Sequence, residues 1–137
     1  MDMKLELVVL PVTDVDRAKA FYEQLGFRVD VDHRAGEQFR VVQLTPPGSA
    51  CSITIGTGVS PAEPGSTQGL HLVVTDLPAV LAELAERGIE VSEPFHFGAE
   101  GQTPGLDPER QSYGSYASFS DPDGNGWLLQ EVPTPVR

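Results

Sequence analysis

With a single cysteine, Cys51, among 137 residues, the chain closes no intrachain disulfide and builds no cysteine-based zinc site. In an apolar strand that thiol reads as a small buried hydrophobe rather than a nucleophile. Cations are also scarce. Nine Lys and Arg stand against twenty Asp and Glu, a formal net charge of −11 and a pI of about 4.5. Without a basic face the chain is a poor partner for nucleic acid or an anionic membrane, and the acidic excess is read as solubility. No basic N-terminal segment leads into an apolar h-region, and no apolar run approaches bilayer-spanning length. The expectation is a cytoplasmic protein with neither nucleic-acid nor membrane partners.

What the chain does contain is a repeat. Residues 10–29, LPVTDVDRAKAFYEQLGFRV, overlay residues 72–91, LVVTDLPAVLAELAERGIEV, without a gap at a shift of 62 positions. Leu10/Leu72, Val12/Val74, Thr13/Thr75, Asp14/Asp76, Ala20/Ala82, Gly26/Gly88 and Val29/Val91 are identical. In each copy a short apolar run ends at Val-Thr-Asp, where Thr or Asp can accept hydrogen bonds from the free N–H groups of a helix start. Val15, Ala18, Phe21, Tyr22 and Leu25 then recur at helical spacing, as do Leu77, Val80, Leu81 and Leu84. Gly26 and Gly88 fall where a left-handed cap is wanted, and a new apolar run follows. Each copy therefore begins strand, helix, strand.

The remaining segments complete two units. Strands are expected over 3–12, 27–32, 39–44 and 51–56, the last two joined by a Pro-Pro-Gly loop, with His33 in a solvated turn. Phe27, Val29 and Val31 alternate with Arg28, Asp30 and Asp32, which predicts one buried side. Residues 58–68, rich in Pro, Gly and Ser, read as a linker. Then come a fifth strand at 69–74, a helix at 75–87 and a sixth strand at 89–91 extending toward 97. A long Gly- and Pro-rich loop at 98–111, without apolar periodicity, reads as functional or mobile. Strands at 113–119 and 127–132 flank the tight turn Asp-Pro-Asp-Gly-Asn at 121–125. The organisation is a first module at 1–57, a linker at 58–68, a second module at 69–133 and a fraying tail at 134–137. The fold class is α+β: two tandem βαβββ modules forming a curled mixed sheet of about eight strands around a cup, with two helices on the other face.

Residues 10–27, LPVTDVDRAKAFYEQLGF, and 119–131, FSDPDGNGWLLQE, resemble the vicinal oxygen chelate superfamily, which groups glyoxalase I, extradiol dioxygenases, and fosfomycin and bleomycin resistance proteins. The resemblance covers nearly the whole chain. It implies the glyoxalase/bleomycin resistance fold, a homodimer and, in the family's enzymes, one divalent metal held by ligands from four strands. Those positions correspond here to Leu7, to a residue within 51–58 where neither acid nor His occurs, to Gly69 and to Leu128. None supplies the anionic oxygen or imidazole that a divalent cation needs, so no metal cofactor is expected. A displaced site of His71 with Gln130 and water would be short of charge.

The candidate ligand-binding residues are His71, His96, Tyr113, Ser115, Leu7, Leu128 and Gln130, with His71 and Tyr113 as the acid/base candidates. His71 lies two residues after Gly69 and so faces the cup, the alternative being a His hydrogen-bonded within the sheet. His96, between Phe95 and Phe97, is placed at the cup rim. Tyr113, Tyr116, Phe119 and Trp127 put aromatic area on the last two strands, which suits planar or hydrophobic ligands. Phe119 is assigned to the core, as is Trp127, the neighbour of cup-facing Leu128. Arg110 is read by default as solvating its loop, and Asp121 and Asp123 as turn formers. The leading expectation is a protein similar to the bleomycin resistance branch, which sequesters a small hydrophobic or aromatic molecule, such as an antibiotic, without a metal. The alternatives are an enzyme of the glyoxalase, lyase, isomerase or dioxygenase type that uses a displaced metal or His71, and a dimeric interaction module with a vestigial cup.

Overall fold

Asp14 and Asp76, at the same place in the two repeats, start the two helices. In a computed structural model that describes residues 1–133, helix α1 spans Val15–Leu25 and helix α2 spans Leu77–Glu86. Asp14 Oδ1 accepts the Arg17 N–H at 3.0 Å, and Asp76 Oδ1 accepts the Ala79 N–H at 3.2 Å. Both helices end at a glycine of positive φ, 111° at Gly26 and 79° at Gly88, a conformation that costs a side chain with a Cβ. The tail 134–137 lies outside the described residues. Among the described residues no helix is long and apolar enough to cross a membrane.

The chain forms two compact units. The first comprises Met1–Thr67 with Asp121–Asn125. Its strands are β1 (Leu7–Val9), β2 (Arg28–Arg34), β3 (Arg40–Thr45) and β4 (Ser52–Thr57), in the sheet order β1-β4-β3-β2. β1 runs parallel to β4 and the other pairs are antiparallel. The core lies under α1, where Val42, Leu44, Ile53 and Ile55 meet Ala18, Tyr22 and Leu25 with almost no exposure. The alternation expected of β2 stops at Asp30. A bulge between Val29 and Val31 shifts the register by one residue, so Val31 pairs with Gln43 and stands 41% exposed. His33, expected in a turn, is on β2 and exposed.

Arg40, only 7% exposed, ties α1 to this sheet. Its guanidinium donates to Asp32 Oδ1 at 3.0 Å and Oδ2 at 2.9 Å, and to Asp16 Oδ1 of the first helical turn at 2.7 Å, while Lys19 Nζ adds 2.9 Å to Asp32. The Arg40 hydrogen bonds, then that of Lys19, hold the Asp32 carboxyl far below the ordinary carboxylate range.

The Asp-Pro-Asp-Gly-Asn turn is built into the first unit through polar groups. The Tyr22 hydroxyl donates to Asp121 Oδ2 at 2.8 Å, Asn125 Nδ2 donates to the Pro11 carbonyl at 2.9 Å, and Asp123 Oδ1 accepts from the Thr13 hydroxyl at 2.7 Å. Tyr22 and Asp121 are both buried, so removing the phenol oxygen leaves a charged acceptor one donor short. Tyr22→Phe is expected to cost about 1.5–3 kcal/mol, seen as a lower urea midpoint at unchanged slope.

The second unit comprises Gln68–Ser120 and residues 126–133 among those described. Its strands are β5 (Leu70–Val74), β6 (Phe95–Gly98), β7 (Gly101–Pro104), β8 (Ser115–Ser120) and β9 (Gly126–Glu131), in the order β5-β9-β8-β6-β7. The plan of the first unit is repeated, with β5 parallel to β9, plus one inserted strand. Instead of one sheet of about eight strands there are two, of four and five. The ninth strand, β7, comes from the expected loop 98–111. It pairs with β6 through a tight hairpin whose ends are Gly98 and Gly101. Its residues, Gly-Gln-Thr-Pro, carry no apolar alternation, so backbone pairing alone makes the strand.

Candidate functional site

Strand register sorts the second sheet into two faces, because residues directly opposite one another point the same way. Trp127, Leu129, Ala117 and Phe119 share one face and are buried, with the Phe119 and Trp127 rings stacked at 6.0 Å and 1°. Trp127 and Phe119 are therefore core. The opposite face carries His71, Leu128, Gln130, Tyr116, Phe95 and Phe97.

On that open face the aromatic rings form one platform. Phe95 and Tyr116 stack at 5.7 Å and 12°. Phe97 meets Tyr116 edge-on at 5.4 Å, and His71 approaches the same ring edge-on at 6.4 Å. Phe97 is 61% exposed, and Val73, on the same face but across β8 and β9 on β5, 57%. With Phe97 exposed and Phe95 and Tyr116 half-buried, the cluster offers aromatic surface to a planar guest.

Gln130 organises the polar part of the platform. The Tyr113 carbonyl can only accept, so the Gln130 amide group faces it at 3.1 Å and also donates to the Tyr116 hydroxyl at 3.1 Å. Gln130 Oε1 is thereby turned toward His71 Nδ1 at 2.9 Å. His71 must then carry a proton on Nδ1, and in the neutral ring Nε2 is the acceptor. Tyr113 joins this network through its backbone, at a φ of 67°, while its own N–H donates to the Glu131 carbonyl at 2.8 Å.

Two clefts flank Ser118 on this unit. One, about 410 Å³, lies between Phe95, Pro104, Gln102 and the segment Ser92, Glu93 and Pro94. The other, about 360 Å³, is lined by Gln68, Gly69, Leu128 and the start of β9.

The structure brings His71, Leu128 and Gln130 to one face, with the Tyr113 carbonyl at its edge. His96 and Ser115 do not join them. They pair with each other across β6 and β8, one residue out of step with Phe95 and Tyr116, and so point to the other face. His96 Nδ1 donates to the Gly105 carbonyl at 2.8 Å, and the buried Ser115 hydroxyl accepts the Asp107 N–H at 2.9 Å, so both pin the loop that follows β7. Leu7 lies on β1 of the first unit, half-buried opposite Ser52. Phe95 and Phe97 are the residues that sequence reasoning passed over as mere neighbours of His96. The Phe-His-Phe alternation was the available signal, since on a strand it places both rings on one face and the imidazole on the other.

Arg110 is not a loop solvator. Its guanidinium donates twice to the fully buried Glu131 carboxylate, at 2.7 and 2.6 Å, and Glu131 Oε2 also accepts the Leu77 N–H at 2.8 Å at the start of α2. Arg110, then the Leu77 N–H, pull the Glu131 carboxyl below its usual range against the opposing effect of burial. The pair holds the 105–114 loop and sits on the core side of the sheet.

A divalent metal does not fit these residues. Leu7 and Leu128 are aliphatic, Gly69 has no side chain, and β4 offers only the hydroxyls of Ser52, Thr54 and Thr57. Among the described residues no three His, Cys, Asp or Glu are grouped as a metal site. The imidazole and amide of His71 and Gln130 leave a cation without a counter-charge.

A repeated βαβββ plan with parallel outer pairs, a helix packed on one sheet face and an open aromatic face defines the paired-module α+β class. The chain belongs to the glyoxalase/bleomycin resistance protein/dioxygenase superfamily, whose family model matches residues 4–129. Among solved structures it is similar to TnmS3, an antibiotic binding protein from Streptomyces sp. CB03234, at 32% identity over 96% of this chain and 97% of that one, with a TM-score of 0.73. It is also similar to a glyoxalase/bleomycin resistance protein from the same organism, at 33% identity over 93% of this chain and 100% of that one, with a TM-score of 0.70. Bacillus subtilis YetH is 26% identical over 96% of this chain and its own full length.

Proposed function

We propose that this protein binds a small planar, hydrophobic molecule against the open face of the second sheet, without a catalytic metal, and that it acts by sequestration. The observation that carries this reading is the partly exposed platform of Phe95, Phe97 and Tyr116, with the exposed His71, oriented by Gln130, beside it as a directional hydrogen-bonding group. Apolar area with a few placed polar groups is the usual make-up of a small-molecule site. The similarity to TnmS3, an antibiotic binding protein, supports an antibiotic as the guest. A homodimer is the assembly proposed with it, on the family resemblance.

The test is calorimetric titration of the purified protein with a panel of planar polycyclic compounds and antibiotics. For any compound that binds, Phe95→Ala is expected to weaken binding about tenfold, the loss of about one good stacking contact, and Tyr116→Ala at least as much. Protein purified without chelating resin is expected to contain less than about a tenth of an equivalent of divalent metal, and its melting temperature to be unmoved by EDTA or by added zinc, nickel or manganese. Near-stoichiometric metal, or binding indifferent to both aromatic substitutions, would overturn the reading.

A further inference from the structure

Resting on that reading, we propose that the cleft beside Phe95 selects planar aromatic cations over neutral and anionic molecules of the same shape, with Glu93 as the residue that sets the charge preference. The cleft of about 410 Å³ is walled by Phe95, Pro94 and Pro104, and its polar residues are Ser92, Glu93, Gln102 and Ser118. No Lys, Arg or His lines it. Glu93 is exposed, and its carboxylate forms no ion pair with any described residue. The ring of Phe95 lines it, backed on one face by Tyr116, so a cation there meets both a carboxylate and the π-system of Phe95.

The rest of the unit reinforces the sign. Across residues 68–120 and 126–133, nine carboxylates face two guanidiniums. Both guanidiniums are already engaged, Arg87 with Glu83 at 2.8 Å and Arg110 with Glu131 at 2.6 Å. A cationic guest therefore enters a negative field that no described side chain of this unit offsets, whereas an anion is repelled by the same field.

Three tricyclic probes of one shape separate the possibilities at mildly alkaline pH: 9-aminoacridine as cation, acridine as the neutral form and acridine-9-carboxylate as anion. Fluorescence titration at low salt is expected to give the cation about fivefold tighter binding than acridine, and the carboxylate the weakest, as one partly screened charge contact implies. High salt should narrow the gap, and Glu93→Gln should reduce it to about twofold or less without changing the circular dichroism spectrum. Phe95→Ala should weaken all three probes together. Equal binding of the three probes, or a charge preference untouched by Glu93→Gln, overturns the inference while leaving the binding function standing. Failure of all three to bind, with sedimentation showing a dimer that Phe97→Asp disrupts, overturns the function as well, because a second copy then covers the face.

Discussion

Arg110→Ala is expected to lower the unfolding free energy by about 2–4 kcal/mol, a large part of the 5–15 kcal/mol typical of a domain this size. The substitution leaves the Glu131 carboxylate with no exposed surface and only the Leu77 N–H as partner. The upper end of the range for broken buried pairs does not apply, because the Arg110 side chain is 42% exposed and water can partly take its place. Glu131→Gln should cost less, since its amide oxygen can still accept from Leu77. The double variant should lose less than the sum of the two single ones, because the interaction broken twice is one interaction. Arg110 also holds a φ of 51°, unfavourable for a residue with a Cβ, and its two bonds to Glu131 are what keep it there.

The same pair sets an acid limit. A carboxyl whose folded pKa is depressed contributes stability that is fully present above its unfolded value, near 4.5 for Glu131, and lost as pH falls through the lower folded value. The stability difference between the wild-type protein and Glu131→Gln should therefore be constant around neutrality and shrink below about pH 4.5. Chemical denaturation at a series of pH values measures it. A difference that grows on acidification would mean that the carboxylate is not held in its charged form.

Much of the architecture was legible because it is local and repeated. Val-Thr-Asp and the helix-ending glycines mark both helices, and the caps at Asp14 and Asp76 follow from hydrogen-bond accounting alone. β7 was not legible, because a strand whose side chains face nothing periodic leaves no pattern in sequence. The bulge at Asp30 was hidden for a related reason: the extra residue is left unpaired without changing the run of residue types, and only register reveals it. For the candidate site, counting parity along one strand was enough for His71, Leu128 and Gln130. His96 was chosen for its place before the long loop, without parity, and register turns it and Ser115 to the face opposite Phe95 and Tyr116. The Arg110 to Glu131 pair spans 21 residues and joins a loop to a strand, so no local rule could have matched them.

Trp127 and Leu128 are the sharpest test of the face assignment, because they are adjacent in the chain and their side chains leave the sheet on opposite sides. Trp127, 4% exposed and stacked on Phe119, fills the core, and Trp127→Ala is expected to cost about 3–5 kcal/mol through lost burial and the cavity left behind. Leu128 is half-buried on the open face opposite His71, and Leu128→Ala should cost about 1 kcal/mol. Binding should respond in the reverse order. Well below its lowered melting temperature, Trp127→Ala should bind a planar probe much as the wild type does, whereas Leu128→Ala should change the affinity by removing apolar surface beside the platform. If the two substitutions exchanged these signatures, β9 would be in register one residue away from where its pairing with β5 and β8 puts it, and Leu128 and Gln130 would turn into the core. The alternation that makes one face a core and the other a binding surface thus makes the two assignments stand or fall together.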